Sequence, residues 1–258
     1  MEIIPASMTS EESVKLVEQY CKSMGKVVIV CKDRPGFVVN RFFVPWLNEA
    51  CLLLEEGVGT AAQIDAVSRK TFDIGMGPFA LMNLTGPPIA LHSTDYLAEQ
   101  LETPRYRGAA NLRKLVEEGS MWDINGPEDY DQETSKIISE RLLGQVFSVS
   151  SQIVEEGVCS MEDVDRGAKV GLRWAKGPFE IANEIGVSNA SRMASDYSDM
   201  ANIEVPEWFI NRKEKFKFSY VDLKIEGPVA KVKLNRPEAM NALLSLIHIS
   251  EPTRLVSI

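Results

Sequence analysis

Several features that mark common functional classes are missing from the 258 residues of this chain. No apolar run approaches the roughly 18 residues that cross a bilayer, and the segment MEIIPASMTSEESV lacks the basic stretch and apolar core of a signal peptide. Basic residues are also few. The 28 Lys and Arg stand against 37 Asp and Glu, and the net charge of -9 argues against a nucleic-acid partner. We therefore expect a soluble, cytoplasmic protein without a membrane span.

Cysteine is scarce as well. The chain has four, Cys21, Cys31, Cys51 and Cys159, with no CxxC spacing, and three of them lie among apolar neighbours. Such residues are typical of a protein core rather than of a metal site or a disulfide framework. The sequence thus predicts neither a metal site nor a disulfide.

The first part of the chain has the pattern of an α/β fold. Two short apolar strands, in MEII and at residues 27–30, flank a helix in TSEESVKLVEQYCKSMG. Thr9 and Glu12 fit a capping box for this helix, and Gly25 fits its end. After Gly36 the pattern changes to apolar helices such as NRFFVPWLNEACLLLEEG. We expect a strand, helix and strand followed by a mainly helical region.

The helical region contains a repeat with a constant offset of 100 residues. EEGVGTAAQIDAV matches EEGVCSMEDVDRG, and MGPFALMNLTG matches KGPFEIANEIG. In each copy a helix is predicted to end at Gly57 or Gly157. The next helix is predicted to begin at Thr60 or Ser160, and Gly-Pro-Phe starts a further one with proline at its favoured first position. We infer two copies of one helical module, separated by the turn-rich residues 120–134.

Beyond a second seam near EVPEWFINRKEKFK, apolar and polar residues alternate along the chain. FSYVDLKIEGPVAKVKLNRPEAMNAL predicts a hairpin over residues 220–234 around a Gly-Pro turn. The alternation stops in LLSLIHISEPTRLVSI, where LSLIHISEPTR is similar to the translation of a sequencing-library adapter. We therefore expect residues 244–258, including His248, to be an artefact without biological meaning.

Several of these motifs occur together in one family. GKVVIVCKDRPGFVVNRFFVPWLNEACLLLEEGV, followed by IDAV and MGPFALMNLTG, resembles the junction and C-terminal domain of 3-hydroxyacyl-CoA dehydrogenases. The second copy resembles the degenerate second domain of multifunctional members, and VAKVKLNRPEAMNAL resembles the first strands of the enoyl-CoA hydratase, or crotonase, fold. The resemblance implies a mainly α fold with a Rossmann-domain remnant at 1–33, tandem helical dehydrogenase domains at 34–125 and 126–212, and the start of a hydratase domain at 213–243.

The resemblance also implies two site residues. The family's catalytic base is a His that is oriented by a Glu shortly before a helix beginning with TS, and Glu2 has that register ahead of Thr9 and Ser10. The carboxylate would fix the imidazole tautomer while the other ring nitrogen takes the proton of the 3-hydroxyl group. Asn40 in PGFVVNR matches the family's Asn near the reacting oxygen of the substrate. From residue type alone, Glu2 would be a solvated residue and Asn40 the N-cap of the next helix.

Other groups that the family needs are absent from this sequence. The His and the glycine-rich phosphate loop would lie before Met1, so no residue here is assigned to the cofactor NAD. Gly57, Gly59 and Ala62 spell GxGxxA, but they follow a helix, whereas a dinucleotide loop follows a strand. We therefore predict a helix cap at these three residues.

Two further positions are predicted to lie outside any site. His92 has no carboxylate motif near it and is expected to be a surface or structural residue. The second copy has Glu140 in place of Asn40 and lacks PGF, so it is expected to carry no site. By packing against the first copy, it would replace the subunit that single-copy members of the family recruit.

The sequence therefore predicts a fragment of an NAD-dependent (S)-3-hydroxyacyl-CoA dehydrogenase of fatty-acid β-oxidation, fused to an enoyl-CoA hydratase. Its substrate would be an acyl-CoA, and the chain alone is expected to be inactive. The alternative is a standalone helical module for acyl-CoA binding or oligomerisation. Neighbouring DNA that encodes GxGxxG and a catalytic His would favour the dehydrogenase, whereas a promoter just before Met1 would favour the module. A hydratase alone is a weaker third option, because residues 218–243 end before an oxyanion hole.

Overall fold

The computed structural model describes residues 1–242, which fall into two compact units, Met1–Phe216 and the described part of Lys217–Ile258. The predicted artefact at residues 244–258 lies outside the described residues. The first unit is mainly helical, as the sequence predicted. Within residues 1–242, no helix has both the length and the apolar character needed to cross a bilayer.

The first unit begins with the predicted strand, helix and strand. β1 (Glu2–Ile3) and β2 (Ile29–Val30) form a two-stranded parallel sheet, and α1 (Glu11–Ser23) connects them. Both strands are shorter than the apolar runs in the sequence. A parallel pair needs such a crossover, because the chain must return to the same end of the sheet.

The predicted capping box of α1 is wrong. The helix starts one residue later than expected, so that the hydroxyl of Ser10 accepts a hydrogen bond from the amide of Ser13 at 3.2 Å. The hydroxyl of Thr9 instead accepts from the amide of Ala6 in the preceding turn. Both Ser and Thr are good caps, so their order in the sequence could not decide between them.

Ten α-helices follow in the first unit, nine of them before a short last one. In chain order the nine are α2 (Val39–Glu55), α3 (Ala61–Phe72), α4 (Pro78–Thr85), α5 (Pro87–Gln100), α6 (Ala110–Glu117), α7 (Gln132–Glu155), α8 (Met161–Arg166), α9 (Pro178–Ile185) and α10 (Val187–Ala201). A short α11 (Glu207–Ile210) comes after them, a 3-10 turn lies at Pro104–Tyr106, and α8 continues into a π-helix at Gly167–Gly171. Residues 34–119, with α2 to α6, are called the first half below, and residues 120–216, with α7 to α11, the second half.

The predicted helix ends are confirmed in both halves. Gly57 follows α2 with a φ of 70° and Gly157 follows α7 with a φ of 59°, a backbone region that favours glycine. Thr60 and Gln63 form a reciprocal capping box at the start of α3. At the start of α8, the hydroxyl of Ser160 accepts from the amide of the residue three positions on.

The same contacts hold the start of α4 and the start of α9. In each half a buried Asp accepts hydrogen bonds from two successive amides, at 2.8 and 2.9 Å in both cases. The pairs are Asp65 with Phe79 and Ala80, and Asp165 with Phe179 and Glu180. Burial raises the pKa of both carboxyl groups. The backbone must approach each Asp closely, because a Cβ on Gly77 or Gly177 would lie within 2.5 Å of its side chain.

The two halves share one core. α2 packs along α7, and an aromatic cluster fills the space near the start of α2. Trp174, which follows the π-helix of the second half, has its ring 4.5 Å from that of Phe72 and 5.8 Å from those of Phe42 and Trp46. Because all four side chains are buried, the second half completes the core of the first.

A buried ionic network also joins the two halves. Glu49 of α2 is 1% exposed, and its carboxylate accepts hydrogen bonds from Arg105, Arg141 and Tyr197 at 2.5 to 3.1 Å. Three donors compensate the cost of burying this charge. Arg141 and Tyr197 belong to the second half, so separation of the halves would leave Glu49 with fewer partners.

The second unit contains the predicted hairpin. β3 (Val221–Glu226) and β4 (Val229–Leu234) pair in antiparallel register, and the turn between them includes Gly227 with a φ of 59°. The described side chains of β4 are mostly exposed. The hairpin is thus a local structure, whose assignment to a hydratase fold stays a prediction.

Candidate functional site

Glu2 caps the start of α2. Its Oε1 atom accepts hydrogen bonds from the amides of Val38, at 2.8 Å, and Val39, at 3.1 Å. No side chain of α2's own N-terminal segment makes this bond. The partly buried Glu2 is therefore not a solvated residue, and its negative charge lies at the positive end of a helix.

Asn40 lies in the first turn of α2, one residue after the amides that Glu2 binds. It is not the N-cap, because the N-cap position is Val38 and the capping carboxylate comes from Glu2. The alternative prediction for Asn40 is therefore wrong. Its side chain is exposed, and within residues 1–242 it makes no hydrogen bond, so its amide is available to a ligand.

Glu2 and Asn40 line the same cavity, which has a volume of about 240 Å³. The structure thus brings together the two residues that the sequence singled out separately. The remaining wall is mainly apolar and combines both halves of the first unit. It consists of Met1, Val27, Ile29, Val39, Arg166, Gly167, Val170 and Gly171.

Two thiols lie close to this cavity. Burial, followed by the charge of Glu2, raises the pKa of the Cys31 thiol to about 12. Burial and the charge of Asp163 likewise raise the pKa of the Cys159 thiol. Both shifts disfavour the thiolate, which is the form needed for nucleophilic attack, although Cys31 is buried and Cys159 only half-buried.

A second cavity, of about 580 Å³, lies on the other side of Asn40, between the loop before α2 and α5. Its wall is mixed: Phe37, Val44 and Leu97 are apolar, whereas Asp33, Arg34 and His92 are among the polar or charged residues that line it. His92 is exposed, as predicted for a surface residue, but its place beside Asn40 could not be read from a lone His in the sequence.

A larger cavity, of about 1020 Å³, contains neither Glu2 nor Asn40. It is polar, and its lining includes Glu102, Glu156 and Trp208. Arg41 also lines it, and the guanidinium group of Arg41 is paired with the carboxylate of Glu156. This cavity lacks both predicted site residues, but it shares Arg34, Pro35 and Gln100 with the second cavity of Asn40 and therefore adjoins it.

The described residues do not fit the phosphates of a dinucleotide. The GxGxxA segment at residues 57–62 joins α2 to α3, so its glycines end one helix and precede the cap of another, as predicted. The turn from β1 to α1, residues 4–10, is IPASMTS and contains no glycine, and the turn from β2 to α2 contains Gly36 alone. Within residues 1–242, no three His, Cys, Asp or Glu side chains come together as metal ligands.

The sequence model of the family described as "3-hydroxyacyl-CoA dehydrogenase, C-terminal domain" matches residues 36–132 and 137–213. The chain belongs to this family. Its members are dehydrogenases, that is, oxidoreductases. Asn40 lies inside the first matched range, whereas Glu2 precedes it.

Curated relatives match about half of this chain. The Deinococcus radiodurans "Probable 3-hydroxybutyryl-CoA dehydrogenase" is 33% identical over 130 residues, which are 50% of this chain and 47% of that protein. The Homo sapiens "Hydroxyacyl-coenzyme A dehydrogenase, mitochondrial" is 33% identical over 135 residues, 50% of this chain and 42% of that protein. The chain thus spans less than half the length of these dehydrogenases.

A solved structure has the same fold over a longer stretch. The Escherichia coli 3-hydroxybutyryl-CoA dehydrogenase aligns with a TM-score of 0.72 over 81% of this chain and 66% of that chain. The sequence identity is 15%, so this likeness concerns the fold alone.

Proposed function

We propose that this chain is the helical, substrate-side part of an NAD-dependent (S)-3-hydroxyacyl-CoA dehydrogenase. The observation that carries the proposal is the cavity shared by Glu2 and Asn40, in a chain that belongs to the dehydrogenase family. The substrate would be a 3-hydroxyacyl-CoA, and the product a 3-oxoacyl-CoA.

Glu2 is proposed to orient the catalytic His, which would come from outside these 258 residues. One carboxylate oxygen, Oε1, already accepts the two amides at the start of α2. Oε2 makes no hydrogen bond to any described residue and remains available to an imidazole N–H. An imidazole held in this way presents its other nitrogen as a base to the 3-hydroxyl group.

Asn40 is proposed to bind the reacting oxygen of the substrate. Its exposed amide has no partner within residues 1–242, and it lines both the cavity of Glu2 and the cavity of Phe37 and Val44. The second of these cavities is proposed to hold the acyl chain, because Phe37, Val44 and Leu97 give it an apolar part and its volume lies in the range of small-molecule sites.

NAD, which the family resemblance implies as the hydride acceptor, is proposed to bind a domain outside the described residues. Within residues 1–242, no strand leads into a helix through a turn with several glycines, because β1 reaches α1 without a glycine and β2 reaches α2 with Gly36 alone. The residues present therefore account for orientation of the base and binding of the substrate oxygen, but not for hydride transfer. The chain by itself is proposed to be inactive.

We further propose that the two halves arose by duplication and that their packing replaces a dimer of single-copy subunits. The two matched ranges, the constant offset and the identical bonds of Asp65 and Asp165 support this origin. The hairpin of the second unit is proposed to open an enoyl-CoA hydratase domain, which would give a bifunctional, cytoplasmic protein of fatty-acid β-oxidation.

Kinetics of site variants test the proposal. The sample is the whole protein, meaning this chain together with the nucleotide-binding domain it is proposed to serve. We expect Glu2→Gln and Asn40→Ala each to lower the turnover of 3-hydroxybutyryl-CoA at least tenfold, because general acid-base catalysis contributes ~100-fold or more. NADH absorbance gives the rates, and circular dichroism checks the fold.

Glu140→Ala is the matched control. Glu140 has the position of Asn40 in the second half, where it pairs with Arg192 on the surface and lines neither cavity of Asn40. It should retain the turnover of the unaltered protein. Near-normal kinetics of both site variants would contradict the proposed roles.

A further inference from the structure

The second half departs from the repeat where it meets the cavity of Glu2 and Asn40. In the first half α3 is a continuous α-helix with Ala66 and Val67 at its centre. The residues 100 positions later are Arg166 and Gly167, where α8 gives way to the π-helix. A π-turn inside a helix is rare and frequently marks a functional site.

The altered segment forms a wall of the cavity. A Cβ on Gly167 would lie 3.0 Å from a methyl group of Val39 and 3.4 Å from one of Ile29. The neighbouring backbone is joined to the same region, because the amide of Lys32 donates to the carbonyl of Val158 at 3.0 Å. The glycine therefore allows the second half to approach the start of α2 directly.

Arg166 is the cation in this wall. It is 6% exposed, lines the cavity and binds the carboxylate of Asp163, one turn earlier on the same helix. A guanidinium group stays charged at every working pH. A charged side chain is thus held almost out of solvent beside Glu2 and Asn40, where the first half has alanine.

We propose that the second half completes the dehydrogenase site and that Arg166 is a positioning residue of that site, which lowers the proton affinity of the base that Glu2 orients. This inference rests on the proposed function. It assigns a role to the second half, which contains neither Glu2 nor Asn40.

The charges around the cavity determine whether the pKa of the imidazole base rises or falls. A cation near an imidazole disfavours its protonated form, whereas an anion favours it. Glu2 and Arg166 line the same cavity, and Asp163 binds Arg166. The titratable or charged side chains are Glu2 from β1, Cys31 and Asp33 after β2, Cys159 before α8, and Glu162, Asp163 and Arg166 of α8.

The test compares two charge changes of opposite sign in the whole protein, by the pH dependence of kcat/KM. Oxidation needs a neutral base, so kcat/KM rises with pH through the pKa of the base, and this rise is the acid limb of the profile. Arg166→Met should move the acid limb to higher pH by about half a unit, and Asp163→Asn should move it to lower pH by a similar amount. Arg166→Lys should keep the limb in place because it keeps the charge.

Arg192→Met is the control, because Arg192 is an arginine of the second half that pairs with Glu140 and Asp196 on the surface. Its profile should match that of the unaltered protein.

We expect KM for the acyl-CoA to change less than twofold in every variant, since Arg166 acts through the base. Equal profiles for Arg166→Met, Asp163→Asn and the unaltered protein would overturn the inference. An unaltered whole protein that forms no NADH would overturn the proposed function, and the inference with it.

Discussion

Glu2 can serve the fold and the proposed chemistry with different oxygens. Oε1 caps α2, and Oε2 has no bond to the described residues. Glutamine keeps an acceptor for the cap, so Glu2→Gln separates loss of the charge from loss of the helix start. Replacement by alanine would remove both, at a cost of ~1 kcal/mol or more to stability.

At the scale of single residues, local motifs could be predicted and distant partners could not. PGFVVNR identified Asn40, because the motif itself carries the resemblance. The N-cap alternative failed because the cap comes from Glu2, which lies 36 residues before Val38. The position of Arg166 in the same cavity depends on the packing of two halves, which no local pattern in the sequence contains.

Gly36 in the PGF turn gives a prediction about stability. Its φ is 76°, and a Cβ there would lie 2.9 Å from the backbone of Arg41. Gly36→Ala therefore combines left-handed strain with a clash and should lower the free energy of unfolding by about 2–4 kcal/mol in urea titrations. Gly25→Ala is the control, because Gly25 has a φ of 70° but open space around it, and should cost about 1–2 kcal/mol. Equal losses would show that the close approach to Arg41 is unimportant.

At the scale of elements, the sequence predicted boundaries better than packing. A glycine that ends a helix and a Ser or Thr that caps one act through local hydrogen bonds. The predicted ends of α2 and α7 and the predicted starts of α3 and α8 were therefore correct. The π-helix was not foreseen, because RGAKVG has no pattern that distinguishes it from an α-helix. Its surroundings are tertiary, because a Cβ on Gly167 would lie 3.0 Å from a methyl group of Val39 on α2.

The equivalent carboxylates of the two halves test the duplication. Asp65→Asn and Asp165→Asn should each cost about 1–3 kcal/mol, because Asn has one acceptor oxygen and leaves one buried amide unpaired. Asp131→Asn is the control. Asp131 caps α7 at an exposed position, and Asn is an equally good cap. Urea unfolding should give similar losses for Asp65 and Asp165 and almost none for Asp131. A large loss at one of the two and none at the other would contradict equivalent roles.

At the scale of the whole molecule, the described contacts make the first unit one body. The aromatic cluster around Trp174 and the network of Glu49 each use side chains from both halves. The repeat in the sequence indicated that the halves would pack together, but not through which residues, since buried ion pairs leave no periodic signal. The second unit contributes a local hairpin, and its proposed hydratase role rests on resemblance.

The most direct test of the central claim is an NADH assay with 3-hydroxybutyryl-CoA and NAD, on the purified 258-residue chain and on the whole protein. We predict NADH formation by the whole protein and none by the chain, which has Glu2 and Asn40 but no dinucleotide site among its described residues. Calorimetry should likewise show no binding of NAD to the chain. NADH formation by the pure chain, or none by the whole protein, would contradict the account.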